Sequence, residues 1–294
     1  VVPVTVTFSE PVTVTGTPRL TLATGTPATT AVAYLAGAGT NILTFNYLVV
    51  AGNTSADLDY ASTTALALNG GSITDAASNA AMLGLAAPGA PGSLGANKAL
   101  VIDTTAPQVT VTRVNGSVRV FPYASNANVT SIGGSCGVDL GDESTVRPLI
   151  NGSGTTPATT TCLSGSWTLN LDTPLSSDGE RTLSAMQVDA AGNTGTAANQ
   201  TLTIDKTPPS VSSIVRTGAS QLVNAGPLSW AVTFSEPVSG VADSNFVLVT
   251  SGLGGTAPTV GTVTPSGGSP SATWTVTASM AGTTGTDAGS VGLN

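Results

Sequence analysis

The feature that most constrains the fold of this chain is an internal repeat. Residues 101–107 (VIDTTAP) and 203–209 (TIDKTPP) share the pattern Asp-x-Thr-x-Pro, and an alternating run of valine with serine or threonine follows each copy. The copies lie about 102 residues apart, the length of one β-sandwich domain. Proline after a strand removes a hydrogen-bond donor and holds the preceding residue extended. We therefore expect domain boundaries here, which divides the chain into residues 1–104, 105–206 and 207–294.

Two further repeats relate these three parts to one another. The heptapeptide VTFSEPV occurs at residues 6–12 and 232–238, which predicts a shared early core strand in the first and third domains. The sequences DAASN at 75–79 and DAAGN at 189–193 each lie between two strand-like runs and predict the same hairpin connection. Because the chain starts inside a strand and residues 289–294 read as the start of a closing strand, we expect the first domain to be N-terminally incomplete and the third C-terminally incomplete.

The composition favours an all-β protein. Charged residues make up only 8% of the chain and hydrophobic residues 40%, so helix-favouring Glu, Lys and Arg are scarce while Val and Thr are frequent. The net charge is −8 and the few basic residues are scattered, which argues against a nucleic-acid partner. No apolar run approaches the roughly 20 residues needed to cross a bilayer, so we expect no membrane span in this segment.

The chain has only two cysteines, Cys136 and Cys162, and both lie in the second domain. A disulfide between them would imply an oxidising compartment and would stabilise the domain by roughly 3 to 4 kcal/mol in the chain-entropy model. Two buried free thiols are the alternative. A metal pair is less favoured because the chain contains no histidine and no Cys-x-x-Cys motif.

These motifs, with the runs at 55–60 (SADLDY) and 68–75 (LNGGSITD), resemble the immunoglobulin-like repeats of large bacterial surface adhesins and biofilm proteins. The first domain resembles the repeat of a cyanobacterial cell-surface protein required for swimming, and residues 107–205 are similar to the ordinary bacterial Ig-like repeat. The third domain resembles a related repeat. The resemblance implies three tandem immunoglobulin-like β-sandwich domains arranged end to end, located outside the cell or on the bacterial surface. It also implies a stalk, filament or adhesive rod, often stiffened by calcium.

Calcium takes six to eight oxygen ligands, and the 16 acidic residues can supply them. The candidate ligands lie at strand ends of the first domain and in turns or linkers near the domain junctions: Glu10, Asp57, Asp59, Asp75, Asp103, Asp189, Asn193 and Asp205. Alternation would turn Asp57 and Asp59 to one face, where repulsion favours a cation; a solvated loop is the alternative. For Asp189 and Asn193 the alternative is capping of a tight turn, and for Asp103 and Asp205 it is solvation of a linker.

The absence of histidine removes the commonest general base and every Ser-His-Asp or Cys-His arrangement, so we expect no enzyme. The leading functional interpretation is a structural rod segment whose partners are neighbouring Ig-like domains of the same long chain. A second is a module that binds a surface glycan or host protein. A third is a self-assembling filament or sheet subunit, in which other copies complete unpaired edge strands.

Overall fold

The computed structural model describes residues 1–218, 227–284 and 289–294. Its regular secondary structure is almost entirely β-strand, which confirms the all-β prediction. The chain forms two compact units, Val1–Asp205 and Lys206–Asn294. Within the described residues, no helix is long and apolar enough to cross a bilayer. The first unit contains two separate hydrophobic cores. The finer division into three domains stays a prediction.

The first core is formed in the part of the chain that contains a six-stranded sheet and one short helix. The elements are β1 (Val2–Thr15), β2 (Arg19–Ala23), β3 (Thr29–Ala36), β4 (Thr40–Tyr47), β5 (Leu66–Ala67), β6 (Ser72–Thr74) and α1 (Leu94–Asn97). The hydrogen-bonded order is β5-β2-β3-β4-β1-β6. Fully buried Phe45, Tyr47 and Leu43 of β4 form the centre of this core.

Strand β1 connects two parts of this sheet. Except at exposed Glu10, its even-numbered side chains are at least partly buried and its odd-numbered ones are exposed, as expected from alternation along a strand. The register against β4 shifts between Thr7 and Val12, around Pro11, which cannot donate a ladder hydrogen bond. Beyond the shift, β1 pairs with β6 through Thr13–Thr15. The register shift at Glu10 and Pro11 therefore lies just before the point, between Val12 and Thr13, at which β1 changes partner.

The second core lies between two sheets. The strands are β7 (Arg113–Val114), β8 (Ser117–Val118), β9 (Tyr123–Ser125), β10 (Val129–Ser135), β11 (Asp142–Ile150), β12 (Ser153–Gly154), β13 (Thr160–Thr161), β14 (Ser166–Leu175), β15 (Gly179–Asp189), β16 (Thr194–Thr196) and β17 (Gln200–Ile204). One sheet has the order β14-β10-β7-β8, and the other has the order β12-β11-β15-β17-β9 with β13 on β11 and β16 on β15. Residues of both sheets, among them Ile132, Val146 and Leu183, pack together in the core.

A disulfide joins Cys136 to Cys162, whose Cα atoms lie 6.0 Å apart, so the disulfide prediction is confirmed. It links the end of β10 to the segment that follows β13. Trp167 on β14 is 1% exposed, and its indole N–H donates to the carbonyl of Thr110 (3.0 Å). This bond satisfies the buried indole and holds the extended segment before β7 against β14.

The second unit contains β18 (Val211–Thr217), β19 (Leu228–Val238), β20 (Leu248–Ser251), β21 (Gly254–Gly255), β22 (Thr259–Pro265), β23 (Ser271–Ser279), β24 (Thr283–Thr284), β25 (Ser290–Leu293) and a 3-10 helix (Asp243–Asn245). Its main sheet has the order β18-β19-β23-β22, and β20 pairs with β25 and β21 with β24. Trp230 and Val232 of β19 and Trp274 of β23 are buried.

The heptapeptide repeat has the same structure in both units. On β1, Thr7 lies opposite Ile42 and the next pair is Val12 with Thr40. On β19, the equivalent Thr233 lies opposite Thr273 and the next pair is Val238 with Ser271. The two copies therefore share a strand and also a register shift at the same position, as expected for repeated modules.

Candidate functional site

The two Asp-Ala-Ala-x-Asn segments form the same five-residue loop. In the second sandwich, Asp189 accepts hydrogen bonds from the backbone amide of Asn193 (2.8 Å) and from its Nδ2 (2.7 Å). In the first, Asp75 accepts the same two bonds from Asn79, at 2.8 and 2.7 Å. The fourth residue of both loops has a positive φ, 69° and 89°. The structure thus shows the predicted shared turn in both sandwiches, and the capping that was the alternative for Asp189 and Asn193 occurs at Asp75 and Asn79 as well.

The loop of the second sandwich also holds the linker between the first two sandwiches. Asn193 Nδ2 donates to the carbonyl oxygen of Asp103 (3.1 Å). On the other side, the Thr104 hydroxyl donates to the Asn53 carbonyl (3.0 Å) and accepts from the Gly52 amide (2.9 Å). Two consecutive linker residues are therefore bonded to opposite sandwiches. The structure brings Asp103, one of the predicted junction residues, together with Asn193.

A buried asparagine supports the linker from within the first sandwich. Asn53 is fully buried; its Oδ1 accepts from the Tyr47 hydroxyl and the Val50 amide (both 2.9 Å), and its Nδ2 donates to the Thr26 carbonyl (3.2 Å). A buried amide with these partners is satisfied and holds its loop in one conformation. Sequence reasoning missed this residue, because an asparagine beside a glycine predicts only a turn.

Asp57 and Asp59 converge, as their alternation predicts. Their Oδ2 atoms lie 3.2 and 3.1 Å from the position that a β-carbon on Gly95 would occupy. Asp59 is 9% exposed and accepts from the amides of Tyr60 (2.8 Å) and Gly89 (2.9 Å). Burial raises the pKa of Asp59, but these hydrogen bonds outweigh burial and hold the pKa below its usual value. The carboxylate is thus ionised at neutral pH.

The loop aspartates behave similarly. Burial alone would raise the pKa of Asp189. The hydrogen bonds from Asn193 and neighbouring amides lower this pKa by more than burial raises it, so the pKa lies below its usual value. The pKa of Asp75 is also lowered, first by the side chain of Asn79 and then by its amide. Both loops therefore favour an ionised aspartate.

The remaining predicted ligands, Glu10, Asp103 and Asp205, do not converge as Asp57 and Asp59 do. Glu10 is exposed and borders a groove together with Asp75. Asp103 Oδ1 accepts from the Thr105 amide (2.8 Å), and the amide of Asp205 donates to the Ser125 carbonyl (2.9 Å). Among the described residues, no three Asp, Glu or Cys side chains lie close enough to hold a metal ion by themselves. Calcium at these positions stays a prediction.

The sandwich that contains the disulfide and the Asp189–Asn193 loop also has a recognisable sequence. Residues 135–206 match the model of a bacterial Ig-like domain. A search of curated proteins gives no match to the chain. The matched stretch covers about a quarter of the chain and runs from the end of β10 through β17.

The bacterial Ig-like domain agrees with the two-sheet architecture observed for this region, and together they confirm the predicted immunoglobulin-like β-sandwich class. Domains of this family are usually extracellular or surface-exposed modules without enzymatic activity. The resemblance of residues 1–104 and 207–294 to adhesin repeats, and of the first domain to a cyanobacterial repeat, stays a prediction.

Proposed function

We propose that this chain is a spacer segment of a bacterial extracellular or cell-surface protein, in which Ig-like sandwiches supply length and stiffness. The observation that carries the proposal is the linker bonded to both flanking sandwiches through Asp103 and Thr104. The bacterial Ig-like domain at 135–206 supports the extracellular setting. An adhesin stalk of this kind binds its target elsewhere and needs no catalytic residues here.

The linker geometry supports stiffness for a physical reason. A flexible linker samples many orientations because its backbone is free, whereas this one is fixed by hydrogen bonds on both sides and followed by buried Pro107, whose φ is restricted. Each hydrogen bond contributes about 0.5 to 1.5 kcal/mol. The three bonds of Asp103 and Thr104 together are sufficient to favour one orientation over the free alternatives.

The repeated loop offers a matched pair of variants to test this role. Asn193→Ala removes the Nδ2 bonds to Asp189 and to the Asp103 carbonyl of the linker, whereas Asn79→Ala removes only the equivalent Nδ2 bond to Asp75. We expect amide hydrogen exchange of residues 103–106 to accelerate several-fold in Asn193→Ala and to stay unchanged in Asn79→Ala. Equal exchange of this segment in both variants would contradict a holding role for Asn193.

We also propose that calcium stiffens the first sandwich at Asp57 and Asp59. The two converging carboxylates supply the hard oxygen ligands that calcium prefers, and Asp57 is exposed, so an ion can reach it. The Asp57 Oδ1 atom accepts only a long bond from the Leu100 amide (3.4 Å), so lone pairs on its carboxylate remain available. Two carboxylates are fewer than the six to eight ligands that calcium takes, so backbone carbonyls and water would complete the site.

A further inference from the structure

The first sandwich has a sheet edge whose counterpart in the second unit is covered. Strand β19 pairs with β23 on one edge and with β18 on the other. Its repeat counterpart β1 pairs with β4 from Val2 to Thr7. Within the described residues, no strand pairs with the opposite edge of this stretch. The position that β18 fills beside β19 is therefore open beside β1.

The open edge presents backbone hydrogen-bonding groups. On β19, the Ser235 amide donates to the Ser210 carbonyl (2.8 Å), and because alternate residues of a strand face the same edge, the amide of Thr233 also faces β18. The identical heptapeptide makes Ser9 and Thr7 the equivalent residues of β1. Their amides consequently face the open edge, where an added strand can accept from them.

The side chains show what a covering strand changes. Val232 of β19 is fully buried, whereas Val6, its equivalent on β1, is only half-buried. A groove runs beside this edge, with Val6–Glu10 on one wall and residues that follow the Asp75–Asn79 loop on the other. Met82 in this second wall is 92% exposed. The groove therefore combines free backbone groups with uncovered apolar side chains.

The loop repeat identifies the same position independently. In the second sandwich, the Asp-x-Thr-x-Pro signature passes directly beside the strand that follows the loop: a β-carbon on Gly195 would collide with the carbonyl of Pro107, the last residue of the signature. Asn193 is half-buried against this segment. In the first sandwich, the equivalent Asn79 is exposed and lines the groove. Both repeats thus indicate the same position, the groove beside β1, for a strand equivalent to β18.

We propose that this groove binds an extended strand that carries the Asp-x-Thr-x-Pro-x-Val pattern, antiparallel to β1. The register of β18 places the residue equivalent to Val211 opposite Phe8 and that equivalent to Ile214 opposite Val6. The strand comes from a polypeptide segment other than residues 1–294, because both segments of this kind in the chain already pair within their own sandwiches. The site depends neither on calcium nor on the spacer role.

A synthetic peptide with the sequence of residues 205–217 (DKTPPSVSSIVRT) is a suitable probe for the full 294-residue chain. The matched control is the same peptide N-methylated at the residue equivalent to Val215, whose partner Ala231 faces β18 in the observed register. Hydrogen exchange of residues 2–10 is the readout. We expect the saturating peptide to slow exchange at the amides of Thr7 and Ser9 at least about tenfold, as ladder bonds protect amides, and the control peptide to have no effect.

Three results would overturn the proposal. Unchanged exchange of residues 2–10 at millimolar peptide, or equal protection by both peptides, would show that the edge does not accept this strand. A concentration-dependent dimer of the chain alone, with residues 2–10 already protected, would show that a second copy supplies the strand. Light scattering on the same samples distinguishes the dimer.

Discussion

Asn79 and Asn193 show how far local sequence predicts a residue's role. The Asp-Ala-Ala-x-Asn pattern correctly predicted the shared turn, because the Asp–Asn bonds that close it lie within five residues. The bond from Asn193 to Asp103 joins residues 90 positions apart, and the loop sequence contains no signal for it. Asn53 was missed for the same reason, since its burial depends on the tertiary fold.

Asp59 gives a prediction about pH. Its folded-state pKa lies below the usual value of 3.8, so the ionised form stabilises the fold above that value, and the stabilisation is lost as the pH falls through the lower folded-state pKa. We expect the unfolding free energy of the unaltered chain to fall more steeply from pH 5 to pH 3 than that of Asp59→Asn. Urea unfolding at several pH values measures both slopes.

The exposed Asp172 provides the control, because Asp172→Asn removes one negative charge from the same unit. This variant should keep the steep acid dependence of the unaltered chain. Identical slopes in the unaltered chain and in Asp59→Asn would refute the role assigned to the hydrogen bonds of Asp59.

At the scale of elements, alternation and repeats predicted the long strands well. The shared strand β1/β19 was identified from seven residues, and its structure agrees down to the register shift. The parallel pairing of β17 with β9 and the short helix α1 were not predicted. Parallel neighbours are distant in sequence, and a four-residue helix is too short to show helical periodicity.

The disulfide gives a prediction for the second sandwich. Replacing Cys136 and Cys162 by serine opens a loop with a sequence separation of 26 residues, which should destabilise this sandwich by about 3 to 4 kcal/mol. The exchange of core amides in β10 and β14 should therefore accelerate, while that of β4 should change little. Undiminished protection of β10 and β14 would mean that the bond does not stabilise this core.

At the scale of the whole molecule, composition correctly predicted the fold class, and the repeats suggested how it is divided. The first two cores belong to one compact unit, Val1–Asp205, although their residues lie on opposite sides of the linker. The sequence signalled a junction through Pro107 but could not show that the junction is hydrogen-bonded on both sides. That property depends on Thr104 and Asn193 meeting their partners in space.

Calcium binding at Asp57 and Asp59 predicts an effect on the stability of the chain. Extracellular modules bind calcium with dissociation constants of about 10⁻⁴ to 10⁻³ M. At 10 mM calcium and a dissociation constant of about 1 mM, binding adds about 1.4 kcal/mol. The thermal midpoint of the first sandwich should therefore rise with calcium relative to chelator in the unaltered chain and in Asp172→Asn. It should not rise in Asp57→Asn, and an equal rise in all three would exclude this site.

The stiffness of the linker is tested most directly by ¹⁵N NMR relaxation of the full chain. Residues 1–104 and 105–205 should have the same rotational correlation time, because the bonds of Asp103 and Thr104 hold the two sandwiches as one body. The double variant Thr104→Ala/Asn193→Ala should give the two sandwiches shorter and different correlation times. Different correlation times in the unaltered chain would contradict the spacer function proposed for this protein.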